Sequence, residues 1–162
     1  MKQFFLSCSI LFLFSALIPI QLFAETTVGT VKGTRGLVSI IRNGKTTPAF
    51  PGDIIYQSDT IITGSNGAIG ILMQDNTLIS MGPISRVKME KFLFKPDKNE
   101  YAMKLRMMEG TFVYQSGLLG KLAPHAVELD TPVGRISMLK GTDFKAKFSA
   151  PSGGGGRSLI RQ

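Results

Sequence analysis

An all-β fold is what this chain predicts, on three observations. Short β-branched stretches recur about every ten residues, each closed by turn residues. In the longer stretches apolar and polar side chains alternate with period two. Beyond the N-terminal leader, no stretch keeps the 3.6-residue apolar spacing over the roughly twelve positions that a packed helix needs. With 162 residues, 18 glycines and 8 prolines, there is room for one domain built of many turns. Short antiparallel strands of this kind can form a twisted roll, a solenoid-like stack or a sandwich, and alternation alone leaves all three open.

The first 24 residues stand ahead of that domain. Lys2 is the one charge before the apolar run from Phe4 to Ile18, and Pro19 and Gln21 interrupt the run before the small residue Ala24. This order reads as a secretory signal peptide over residues 1–24, cut after Ala24. The competing reading is a retained anchor, since a helix from Phe4 to Ala24 would be about 30 Å long and would span a bilayer.

From Thr27 onward the elements follow one another closely. Leu37, Ser39 and Ile41 alternate with Val38 and Ile40, and Asn43-Gly44 supplies a type I′ hairpin turn. Pro51-Gly52-Asp53 turns into a strand at Ile54-Ile55-Tyr56, and Thr60 to Thr63 makes the next. Ser65-Asn66-Gly67 leads into Ala68 to Met73, and Asp75-Asn76 reverses the chain into Thr77 to Met81. Val87 and Met89 face inward within Arg86 to Glu90. After the turn Pro96-Asp97-Lys98-Asn99, Met103, Leu105 and Met107 alternate with Lys104 and Arg106. A polar opposite face means a sheet covered on one side only.

Gly110 is expected to open a separate strand, Thr111 to Gln115, followed by a loop from Gly117 to Pro124. Val127 and Leu129 share one face of the next strand, which ends at Thr131 because Pro132 forces the residue before it to be extended. In the last strand Phe144, Ala146 and Phe148 point one way and Lys145 and Lys147 the other, with Phe144 expected in the core. The domain thus runs from about Thr27 to Ser149. Residues 150–162, with the run Gly153-Gly154-Gly155-Gly156, read as a flexible tail.

Chemistry is bounded mainly by exclusion. Cys8 and His125 are the sole cysteine and histidine, so neither a disulfide framework nor a zinc site of Cys and His ligands can be assembled. No catalytic, cofactor-binding or metal-binding residue is assigned, and no cofactor is expected. His125, beside Pro124 at a strand start, reads as a surface residue. Asp53, Asp59, Asp75 and Asp143 each lie in or beside a turn, where the carboxylate caps nearby N–H groups. Gly29, Gly33 and Gly36 are spaced loosely like a nucleotide loop, but no helix follows to receive a phosphate. The formal net charge is +8, and losing Lys2 with the leader lowers it by one. That balance suits an anionic partner such as lipid headgroups, a wall polymer or an acidic protein, whereas an exported chain is not expected to meet nucleic acid. Lys104, Arg106, Arg135, Lys140, Lys145 and Lys147 would share one face, either as a solvated surface or as a ligand patch.

Two series of motifs carry a resemblance. Pro51-Gly52-Asp53-Ile54-Ile55, Asp59-Thr60-Ile61-Ile62-Thr63-Gly64, Ala68 to Met73 and Asp75-Asn76-Thr77-Leu78-Ile79-Ser80-Met81-Gly82-Pro83 form the first. Glu109-Gly110-Thr111-Phe112-Val113, Thr131-Pro132-Val133-Gly134-Arg135-Ile136 and Lys140-Gly141-Thr142-Asp143-Phe144 form the second. In order and spacing they resemble the FecR family over roughly Thr27 to Phe148. Asn76 stands where that family has glycine, and it tolerates left-handed angles. Lys140 stands where the family has arginine, which loses the bidentate fork.

The resemblance implies an extracytoplasmic β-rich domain that binds protein partners and has no known catalytic residues. The family's namesake regulators add a cytoplasmic anti-sigma segment and one membrane span. Only Met1, Lys2 and Gln3 precede the apolar run here, so that signalling role is not expected to carry over. The expectation is a periplasmic or secreted, non-enzymatic binding or scaffold module of the cell envelope. Its partner would be a protein or an anionic envelope component, with membrane contact only if the leader is retained. The alternatives are a membrane-tethered accessory of an envelope signalling system and a hydrolase using a carboxylate pair.

Overall fold

The computed structural model describes residues 25–137 and 143–148. The leader, Lys140, Gly141, Thr142 and the glycine-rich tail lie outside the described residues. The strands are β1 (Thr27–Arg35), β2 (Val38–Arg42), β3 (Lys45–Pro48), β4 (Ile54–Tyr56), β5 (Thr60–Thr63) and β6 (Ala68–Met73). They continue with β7 (Leu78–Met81), β8 (Ser85–Lys95), β9 (Glu100–Gln115), β10 (Val127–Thr131), β11 (Gly134–Ser137) and β12 (Phe144–Phe148). One short helix, α1 (Leu118–Leu122), follows β9. The protein is all-β.

The hairpin turns form where the residues permit them. At Asn43 and Gly44 both φ angles are positive, at 49° and 78°, which is the type I′ geometry that a two-residue hairpin favours. Asn76 likewise adopts φ 64°, so it serves in place of a glycine. Pro132 and Val133 make the turn between β10 and β11. Alternation sets the faces: Val38, Ile40, Ile61, Ile71, Ile79, Val87, Met89, Met103, Leu105 and Met107 are all buried in one core.

The twelve strands form one continuous sheet in the order β3-β2-β5-β8-β9-β7-β6-β1-β4, with β10, β11 and β12 attached through β9. The key element is β9. Its first half pairs with β8 and β10, and its second half with β7 and β12. The sheet therefore curls around β9, and its inner faces enclose a shared core. Gly110, expected to start a new strand, instead sits inside a single 16-residue strand. Its φ of 109° bends the strand, and a Cβ there would overlap the Oγ, Cβ and Cα of Ser85. Only glycine meets both conditions, so the chain bends without breaking its ladder.

Three further details differ from the sequence reading. The pair β9–β10 is parallel, whereas every strand was expected to be antiparallel. Parallel neighbours need a crossover connection, and the segment after β9 provides it. That segment is not a plain loop, because it forms α1 and sends Leu119 fully into the core. In β12 the deeply buried aromatic is Phe148, 5% exposed, while Phe144 is half-buried and stacks on Tyr114 at 5.3 Å.

Candidate functional site

The aspartates that the sequence places in or beside turns are the first place to look for chemistry, and each one accepts backbone N–H groups. Asp59, 1% exposed, accepts Nε and Nη2 of Arg42 at 2.9 and 2.7 Å and the N–H of Tyr56 at 2.8 Å. The same guanidinium donates to the Ile54 carbonyl and lies 4.3 Å over the Tyr56 ring. Its pKa is raised, chiefly by the hydrogen bond to Asp59. This pair braces β2 against the β4–β5 turn. Asp53 accepts the N–H of Phe50, and Asp143 that of Ser116.

Asp75 is fully buried and does the most. It accepts the N–H and hydroxyl of Thr77 at 3.1 and 2.7 Å and the N–H of Leu119 at 3.1 Å. Thr77 in turn accepts the N–H of Gly117 at 3.1 Å. The hairpin between β6 and β7 is thereby tied to the start of α1. Gly117 fits because a Cβ would overlap the Asp75 carbonyl and the Thr77 nitrogen. Beside this knot, burial pushes the Tyr114 hydroxyl up to about 12.

The cations do not form a bare patch. On the outer face of β8 to β11, Lys104 lies 3.5 Å from both Glu90 and Asp130, and Arg106 lies 2.8 Å from Glu90. Arg135 pairs with Asp130 at 2.8 Å and with Glu128 at 3.6 Å. Asp130 is held below the usual carboxylate range, first by the hydrogen bond from Arg135. Lys145 and Lys147 stand elsewhere, exposed on β12 beside the second half of β9. The single face expected for these residues therefore splits into an acid-matched lattice and a separate pair of lysines.

His125 is exposed in a 3-10 turn before β10. Gly29 and Gly33 lie in β1 and Gly36 in the turn after it, with β2 following. Among the described residues no group of three or more His, Cys, Asp or Glu side chains could hold a metal ion. No helix among them is long and apolar enough to cross a membrane.

What the sequence reading missed lies at one end of the sheet, where three turns meet. Gly64 donates its N–H to the Leu37 carbonyl at 2.8 Å, and Ile84 donates its own to the Gly64 carbonyl at 3.1 Å. Leu37 is 65% exposed and Ile84 61%. Ile84 also has φ 48°, a left-handed angle that is an outlier for a β-branched residue. The turn is held from both sides. Thr63 Oγ donates to the Gly82 carbonyl at 2.7 Å and accepts the Ser85 N–H at 2.8 Å. Ser85 Oγ donates to the Gly82 carbonyl at 2.9 Å and accepts the Thr111 N–H at 3.0 Å. Gly82 itself donates to the Thr111 carbonyl.

Beside this turn, the β9 bend and the end of β12 border an open groove of about 380 Å³, lined by Pro83, Ile84, Lys147 and Phe148 among others. A signal for the exposed pair was present in the phase of the strands. Val38 and Val87 point inward, so Leu37 and Ile84 fall on positions where a polar residue would be usual.

Turn motifs that fasten a curled sheet, with an apolar tip left outside, define an all-β scaffold. The FecR protein family matches residues 59–155, more than half of the chain. The chain belongs to the FecR family, which is related to envelope signalling and is not a known enzyme family. The matched span begins at Asp59, so Pro51 to Ile55 lie ahead of it. Comparison with curated proteins and with solved structures finds no match.

Proposed function

We propose that this protein is an exported, non-enzymatic binding module of the cell envelope that works through contact with another protein. One observation carries the reading. The polar residues most suggestive of chemistry, Asp59, Asp75 and the Glu90–Asp130 lattice, are engaged in holding the fold, while strain is kept at an exposed apolar turn. Backbone strain of that kind is stored where function uses it. Family membership supports the envelope setting, and the order of residues in the leader supports export.

A carboxylate-pair hydrolase gains nothing from the geometry, since Asp53, Asp59, Asp75 and Asp143 each accept backbone N–H groups. A membrane-tethered accessory is the second reading, favoured by the apolar length of Phe4 to Ala24. The test is photo-crosslinking in intact cells, with the photoreactive residue placed in turn at exposed positions on each face. Discrete protein adducts are expected, and their absence at every position would refute the binding role. Recovery of the mature chain in the soluble envelope fraction without residues 1–24 separates the first reading from the second.

A further inference from the structure

We propose that the tip formed by Leu37, Pro83 and Ile84, with the adjoining groove, docks an extended protein segment carrying apolar side chains between carboxylates. This rests on the binding-module reading and names its surface and the chemistry of its partner. The apolar part of the recognition follows from exposure. Leu37 and Ile84 are presented to solvent on either side of Gly64, which bonds to the backbone of both, and Ile84 is held there in a backbone conformation that its side chain disfavours. Nothing in the packing of the described residues calls for an isoleucine at that position.

The charge of the partner follows from what is left unpaired. Arg35, directly before Gly36 and Leu37, is exposed, and so is Lys147 on the groove wall. Neither has an acidic partner among the described residues. Glu109, the acid lining the same groove, is already engaged by Arg86 at 3.5 Å. Two free cations around an apolar tip complement carboxylates flanking an apolar side chain.

A protein segment fits better than a lipid surface. The groove of about 380 Å³ has a shape to be filled, at the small end of the roughly 300–1,000 Å³ typical of ligand sites. Electrostatic attachment to anionic lipid draws on clusters of about four to eight basic residues, and among the described residues Arg35, Lys147 and its neighbour Lys145 fall short of that number.

The probe is a set of capped hexapeptides of the form Glu-Asp-X-X-Asp-Glu, where X is Leu, Ile, Val, Phe or Met. They are titrated into the 15N-labelled protein as cells produce it, and amide shifts are followed. At least one peptide is expected to move the signals of Gly64, Gly82, Ile84 and Lys147 together. Its affinity should fall at least ten-fold when X-X becomes Ser-Ser, when the acids become lysines, or when the protein carries Leu37→Ser or Lys147→Glu. Shifts centred on another face, no shifts with any peptide, or stronger shifts of the same signals with phosphatidylglycerol vesicles would overturn the proposal. In cells, crosslinks from position 37 but not from position 88 on β8 support it. Crosslinks from position 88 alone overturn this surface yet leave the binding role standing, and none from any position removes both.

Discussion

Replacing Asp75 with alanine should cost the domain a large part of its stability. The variant strips three buried donors of their acceptor: the N–H and hydroxyl of Thr77 and the N–H of Leu119. A buried donor left without a partner costs about 1–3 kcal/mol. The Thr77 hydroxyl can reorient, so the three together should amount to about 3–5 kcal/mol rather than the full sum. Against a typical total of about 5–15 kcal/mol, that is enough to endanger folding. Asp53→Ala is the matched control, because it releases only the Phe50 N–H at a partly exposed turn and should cost about 1 kcal/mol. Urea unfolding followed by circular dichroism measures both. With a slope of about 1–3 kcal/mol per molar, the Asp75 variant should unfold about 2 M earlier than the parent at unchanged slope. Two variants within about 0.5 kcal/mol of each other would refute the view that Asp75 fastens α1 to the hairpin.

Phe148→Ala should lower stability by about 3–5 kcal/mol, and half-buried Phe144→Ala by about 1–2, with Lys145→Ala and Lys147→Ala nearly silent. A larger loss at Phe144 than at Phe148 in the same urea series would reverse the packing described for β12. Tyr114 keeps its proton up to about 12 when folded, against 10.0 for the ordinary phenol. The folded state then binds the proton more tightly than the unfolded chain, so this contribution is complete below pH 10.0 and lost as pH rises towards about 12. Thermal melts at about pH 9 and about pH 11 should show a smaller alkaline loss for Tyr114→Phe than for the parent, and an equal loss would exclude Tyr114 as its source.

The strands were legible because one face of each is buried, and period two then writes itself into residues such as Met103, Leu105 and Met107. Turns were legible where one residue type is demanded, as at Asn43-Gly44 and Asn76. The role of Asp75 was legible only in part. Its turn is local, but its bond to Leu119 spans 44 positions and depends on where the chain returns. The same holds for Gly110, whose glycine reads locally as a break. Only the approach of Ser85 from a strand 25 residues away makes it a bend in a continuous strand. The parallel pairing of β10 was hidden because alternation is blind to strand direction. The cation lattice was hidden too, since ion pairs between neighbouring strands depend on register that only the folded sheet fixes. The exposed tip left a faint trace, two apolar residues out of phase, and the strain at Ile84 left none.

Ile84→Gly, read out in two ways, tests the division between a scaffold built by the family motifs and a strained tip kept for contact. A left-handed angle costs an L-residue about 1–2 kcal/mol, and glycine gives back about 0.5–1 through the entropy of the unfolded chain. Because Ile84 is 61% exposed, little burial is lost. The variant should therefore melt at or slightly above the parent's temperature, while crosslinking from position 37 in intact cells disappears. A variant that melts clearly lower, or one that melts the same and crosslinks as the parent does, would contradict the account.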